Sequence, residues 1–301
     1  MTMPPGDPRL SAERLHTLKT HLLSEIGRAG TTAPARVGRR RWLMAAPVAA
    51  GVLVAALATG IVLQSPDDAA PASATVQVLR GGDGAPAFLN RVALVAATRT
   101  QPAIGKEQFV YIRSRVAWTN QVGDGPRTLD KVHDREVWIA QSVSQGMFIE
   151  NGERISLDGV MPNAETVDLP TDPDKLLAKI YAGTEPHGNT RDGQAFSTIG
   201  DLLRESLMPP AATAALYRAA AKIPGVVLVD DSVDATGRHG VAVARVELGE
   251  RTEWIFDRDT FDYLGERSYL VEDTTGGKAG MLTATTAVTE RAVVDELGER
   301  P

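Results

Sequence analysis

Apolar and polar positions follow different periods in different parts of the chain, and each change of period marks a new segment. From Asp7 to Arg28, Leu10, Leu15, Leu18, Leu22 and Ile26 recur every three to five residues behind Asp7-Pro8, which suits an N-cap and first helical position. The spacing predicts a short amphipathic helix, followed by a Gly/Thr/Ala/Pro linker from Gly27 to Val37. The 22 residues from Trp42 to Leu63 then carry no charge at all. As a helix they span roughly 33 Å, enough to cross a hydrocarbon core of about 30 Å.

Beyond that run the pattern becomes that of a folded domain. Residues 64–84 are rich in Pro, Gly, Ala and Asp and predict a tether, with a short strand at Thr75 to Leu79. A helix is expected from about Pro86 to Arg99, where Phe88, Leu89, Val92, Leu94, Val95 and Ala96 cover nearly the whole circumference. Such a helix calls for enclosure. Strand-like alternation follows at Gln108–Trp118, Arg135–Val143 and Gly146–Glu150, and Asn151-Gly152 predicts a tight hairpin onto Arg154–Leu157.

The period then returns to that of helices. Short helices are expected from about Asp172 to Tyr181, from Ser197 to Leu207, and from Pro209 to Ile223, the last stopped by Pro224-Gly225. The final third reads as a meander of strands, GVVLVDD, HGVAVARVEL, TEWIFD, FDYLGERSYLV and about Met281 to Val294. Turns are expected at Asp234–Gly237 and Asp257–Thr260. Without βαβ alternation, this order implies an α+β fold. Residues 85–301 form its extracytoplasmic domain: a curved antiparallel sheet, a half-barrel, enclosing an apolar helix, with a helical insert at about 172–223.

Charge sets the orientation. Arg36, Arg39, Arg40 and Arg41 precede the apolar run, and basic residues resist translocation, so residues 1–41 are expected in the cytoplasm and the C-terminal domain outside. Residues 1–41 carry +5 within a chain of net charge −6, leaving −11 for the rest, and that acidic balance excludes nucleic acid as a partner. Trp42 sits where an interfacial aromatic ring is favoured, and Leu63 closes the span. A second reading stays open: Arg39–Met44 also has the pattern of a twin-arginine export signal, with Ala72-Ser73-Ala74 as a cleavage site. The absence of cysteine excludes a disulfide scaffold and a lipoprotein anchor.

The sequence contains no Gly-x-Ser-x-Gly elbow, no phosphate-binding loop and no His-Glu-x-x-His. His133, His187 and His239 adjoin turn residues and are expected as solvated loop histidines. Asp257–Asp262 lacks the glycine of a calcium loop and reads as a hairpin turn, and Asp230–Asp234 as a polar strand end. No catalytic residue, metal site or cofactor is assigned. If a hydrophobic groove exists, Phe109, Tyr111, Trp118, Trp138, Phe148 and Trp254 are its candidates. Trp118, Trp138 and Trp254 lie in strands, and Trp118 shares a face with Val110, Ile112 and Val116, opposite Phe109 and Tyr111.

The basic leader, the Ala/Val-rich span, the apolar helix, "QFVYIRS", "STIGDLLRE" and "IPGVVLVDDSVDATGRHGVAVAR…WIFDRDTFDYLGERS" together resemble an actinobacterial family of single-pass membrane proteins. That family is often encoded beside extracytoplasmic-function sigma factors. More distantly, the helix-and-sheet order is similar to the lipoprotein-carrier fold of LolA, LolB and RseB. The resemblance implies a concave face for a lipid, lipoprotein or peptide outside, and a cytoplasmic regulator such as a sigma factor inside. Residues and resemblance together lead to a non-enzymatic, membrane-anchored binding protein. An exported cell-envelope protein, structural or hydrolytic, is the competing expectation.

Overall fold

The computed structural model describes residues 84–120, 127–157, 159, 163–166, 168–183, 189–274 and 276–301. The leader helix, the Trp42–Leu63 span with Arg36, Arg39, Arg40 and Arg41, the tether with Thr75–Leu79, and His187 lie outside them. Among the described residues no helix is long and apolar enough to cross a membrane.

The architecture is α+β. One ten-stranded antiparallel sheet runs in the order β5-β4-β3-β1-β10-β9-β8-β7-β6, with β2 paired to β1. In chain order the strands are β1 (Phe109–Asn120), β2 (Thr128–Leu129), β3 (His133–Ala140), β4 (Gly146–Glu150), β5 (Glu153–Ser156), β6 (Val227–Val233), β7 (His239–Glu247), β8 (Glu250–Phe256), β9 (Tyr263–Leu270) and β10 (Leu282–Val294). The helices are α1 (Gly84–Ala97), α2 (Pro173–Gly183), α3 (Arg191–Glu205) and α4 (Pro210–Ala220).

Local chemistry explains most of these boundaries. Asn151 and Gly152 both adopt positive φ, 52° and 79°, which a two-residue hairpin between β4 and β5 requires. Asp172 Oδ1 accepts the backbone N–H groups of Asp174 and Lys175 and caps α2. Thr190 caps α3 through Gly193, so that helix starts at Arg191, earlier than the expected Ser197. The hydrophobic stripe of α3 begins with Phe196, and its polar first turn gave no apolar period to read. Asp257 takes the N–H groups of Asp259 and Thr260, forming the expected turn between β8 and β9. Asp234 does the same work between β6 and β7, accepting from Thr236 and Arg238.

The helices pack on one face of the sheet, here called the inner face. Leu89, Val92, Ala93 and Ala96 of α1 meet Ala212, Ala215, Leu216 and Ala219 of α4, and Val110, Ile112, Val243, Phe256 and Val288 form the floor beneath them. Small residues on both helices let their axes come close. The enclosure expected for α1 is only partial among the described residues: Leu94 is 63% exposed and Arg91 lies on the same open side, because no described element covers the outer stripe of the helix. On the other face, Phe109, Tyr111, Trp138, Met147, Ile149, Ala292 and Val294 form a separate apolar cluster.

Candidate functional site

Helix α3 crosses the inner face obliquely, and its contacts lead from β7 to β3. At its start, the Glu247 carboxylate on β7 accepts the Thr190 N–H (2.7 Å) and hydroxyl (2.9 Å), which places a negative charge at the positive end of the helix dipole. Phe196 then stacks on Trp254 of β8, with centroids 3.8 Å apart and planes 5° from parallel. A turn later comes Gly200, where a Cβ would stand 2.8 Å from Trp254 Nε1 and 2.6 Å from Glu266 Oε1; only glycine admits this approach. At the far end, Arg291 of β10 donates to the Leu203 carbonyl (2.6 Å) and caps the helix C-terminus.

The last turn of α3 meets a cluster of charges on the sheet. Arg204 donates to Glu266 of β9 (2.9 Å) and to Asp201 (2.6 Å). Arg135 of β3 donates to Glu205 (2.6 Å) with one arm and to Glu150 of β4 (3.1 Å) with its Nε. Glu150 also accepts the Trp118 indole N–H (3.0 Å) and faces His133 Nε2 (2.8 Å). Burial alone would raise the Glu205 carboxyl, but the Arg135 and Arg204 guanidiniums prevail and hold it below the usual range. For Glu266 burial prevails over Arg204 and pushes the carboxyl up.

His133 is not the solvated loop histidine expected from its neighbours. It opens β3 with a side chain only 15% exposed, Nδ1 on the Lys131 carbonyl (2.9 Å) and Nε2 on Glu150. Both partners are acceptors, so both contacts are hydrogen bonds only when the ring is a cation. Burial alone would lower its pKa, yet the bonds to Glu150 and Lys131 raise it. A raised folded-state pKa adds stability that is complete below the unfolded value, about 6.5, and is lost as pH rises through the folded value. His133→Ala is therefore expected to cost about 1 kcal/mol near pH 5.5 and clearly less near pH 8.5. Urea denaturation at the two pH values checks this; an equal loss at both would refute the cationic ring. His239, by contrast, is a surface histidine at the start of β7, beside Asp231.

The predicted aromatic positions divide between the two faces. Trp118, Phe148 and Trp254 are on the inner face, but Trp254 is fully buried beneath Phe196. Phe148 lies under the Arg135 guanidinium at 5.1 Å, Trp118 beside Arg204 at 5.8 Å, and Ile155, paired with Phe148 across the hairpin, is 40% exposed. Phe109, Tyr111 and Trp138 belong to the outer cluster, with Tyr111 and Trp138 buried. These aromatics therefore do not line one groove. The half-buried Trp118 and Phe148, with Ile155, border the charged cluster at the β4–β5 end of the inner face. A shallow depression of about 480 Å³, lined by Gly105–Gln108 and Asp295, lies at the opposite end of the strands.

No family model, curated protein or solved structure matches this chain. The site therefore has to be read from its own chemistry. The Arg135–Glu150 pair is not legible in the sequence, because the Asn-Gly hairpin sets Glu150 opposite Glu153, while the β3–β4 register that brings Glu150 to Arg135 depends on the five-residue connection 141–145. Arg204 and Glu205 give no signal either, because their partners lie on strands distant in the chain.

Proposed function

We propose that this chain is a non-enzymatic, membrane-anchored binding protein whose extracytoplasmic domain takes an extended segment of a partner protein at the β4–β5 end of the inner face. The observation that carries the reading is the juxtaposition there of Trp118, Phe148 and the exposed Ile155 with the fixed charges of Arg135, Glu150 and Arg204. Apolar contacts with a few oriented polar groups are what peptide recognition uses.

Two features favour a peptide over an acyl chain, and binding over catalysis. The apolar part of the inner face is filled by α1, α2 and α4, with Leu89, Leu176, Ile180 and Leu216 buried against the sheet or one another. A lipid would have to displace them. At the charged cluster, His133 has both nitrogens engaged and Glu150 is shared by Trp118, His133 and Arg135, so neither is free to act as a general base. The apolar run at 42–63 supplies the anchor, and the 1–41 segment the inward connection to a regulator such as a sigma factor.

Site-specific photo-crosslinking in the intact membrane protein tests the proposal. A crosslinker at Ile155 should capture one defined partner, while one at Leu94, which is more exposed but distant, should not. Identical products at both positions, or none at Ile155, would overturn it.

A further inference from the structure

On the outer face, β3 carries a carboxylate in an unusual position. Glu136 is 7% exposed, and its Oε1 accepts the Tyr111 hydroxyl at 2.6 Å. Arg113, directly opposite on β1, turns its guanidinium to Asp134 instead (3.4 Å). The cation that satisfies Glu136 comes from the segment after β10: Arg300 binds it through both arms, Nε to Oε1 at 2.8 Å and Nη2 to Oε2 at 2.7 Å. One residue earlier, the Glu299 carbonyl accepts the Trp138 indole N–H at 2.5 Å. Gly298, at φ 92°, brings the backbone against Met147, where a Cβ would be 3.4 Å from its terminal methyl. The Glu299 carboxylate accepts the N–H groups of Asp295 and Glu296 and folds the segment back onto the sheet.

These are the parts of a peptide-recognition site. A carboxylate fork reads a guanidinium, which only arginine presents in that planar geometry. An indole donor reads the preceding carbonyl, and the positive φ two residues before the arginine disfavours any residue but glycine there. The site is rigid and buried, since Trp138 is fully buried and Tyr111 nearly so, whereas its occupant is held lightly. The Arg300 side chain is 64% exposed, so its ion pair is screened by water and salt. If the segment lifts, Glu136 and the Trp138 N–H are left without a strong partner, a state that favours capture of another arginine.

We propose that this outer-face cleft is an arginine-reading peptide site, occupied in cis by residues 298–300 and open to a Gly-x-Arg segment of a partner protein when those residues lift. It is independent of the inner-face site. The probe is a labelled Leu-Gly-Glu-Arg-Pro peptide, its binding followed by fluorescence anisotropy against the full chain. R300A should bind it at least about tenfold more tightly than the Leu-Gly-Glu-Gln-Pro peptide, the difference expected of a charge-assisted bond. The unaltered chain should bind it at least about tenfold more weakly than R300A, because the tethered segment competes at roughly millimolar effective concentration. Adding Glu136→Gln to R300A should abolish the preference for arginine. Equal binding of the two peptides, or an R300A chain that binds neither, would overturn the proposal. So would an R300A chain that does not fold, since the segment must be able to leave an intact domain. Concentration-dependent dimers of the unaltered chain that vanish in R300A would instead assign the site to exchange between copies.

Discussion

Trp254→Ala is expected to destabilise the domain by about 3–5 kcal/mol, the range for removing a large aromatic from a packed core. Trp254 is fully buried in the middle of β8 and is the surface on which Phe196 of α3 stacks. The truncation removes that stack and also the floor beneath Gly200, where the helix lies close against the sheet. Single domains are stable by about 5–15 kcal/mol, so the loss would leave the protein near its threshold. Helix α3 should be released first, because its attachments at either end are polar and only Ala195, Ile199 and Leu203 remain as its apolar anchors. Hydrogen exchange should show residues 191–205 losing protection ahead of β8 and β9. Urea denaturation showing a loss below about 1 kcal/mol would refute the assignment of Trp254 as the main support of α3.

Arg135→Ala should cost about 2–3 kcal/mol near neutral pH. That is below the full penalty for breaking a buried ion pair, because Glu205 keeps some contact with water. Arg135 is the shared cation of Glu150 and Glu205; without it, two carboxylates are left at one end of the inner face with less compensation. The pH dependence follows from the sign of the Glu205 shift. Its folded-state pKa is lowered, so its contribution is present above the ordinary carboxylate pKa and disappears as pH falls through the folded value. The difference between the variant and the unaltered chain should therefore shrink as the pH approaches about 3. Arg135→Lys should recover only part of the loss, since an ammonium cannot present two separate edges to two carboxylates. Denaturation curves at about pH 7 and pH 3 decide the matter, and a difference that does not change with pH would refute the role given to Glu205.

The two losses differ in how far they could be seen in advance. Trp254 stands out in the sequence as an aromatic in a strand, and a core role for it is an ordinary expectation. What covers it is not legible there, because Phe196 lies in a helix more than fifty residues earlier. Arg135 is less legible: Glu150 meets it only through the β3–β4 register set by the 141–145 connection, and Glu205 depends on where α3 ends on the sheet. His133 shows how neighbours mislead. Turn residues beside it suggest solvent, and only the return of β4 puts Glu150 against its ring.

The sequence by itself determined the local elements and the charge asymmetry about the 42–63 run. Alternation, helical spacing, Asn-Gly, Pro-Gly and Asp caps act within a few residues, so most strands, hairpins and helices after Gly84 can be read from neighbouring side chains, though not β2 or the start of α3. Only the tertiary structure decided that β1 pairs with β10 across more than 160 residues, that α3 lies across the inner face, and that the aromatic positions divide between two faces. It also decided that Arg300 returns to Glu136. The physical reason is range. Such contacts form when surfaces close on one another and buried charges find partners, and neither event leaves a period in the chain.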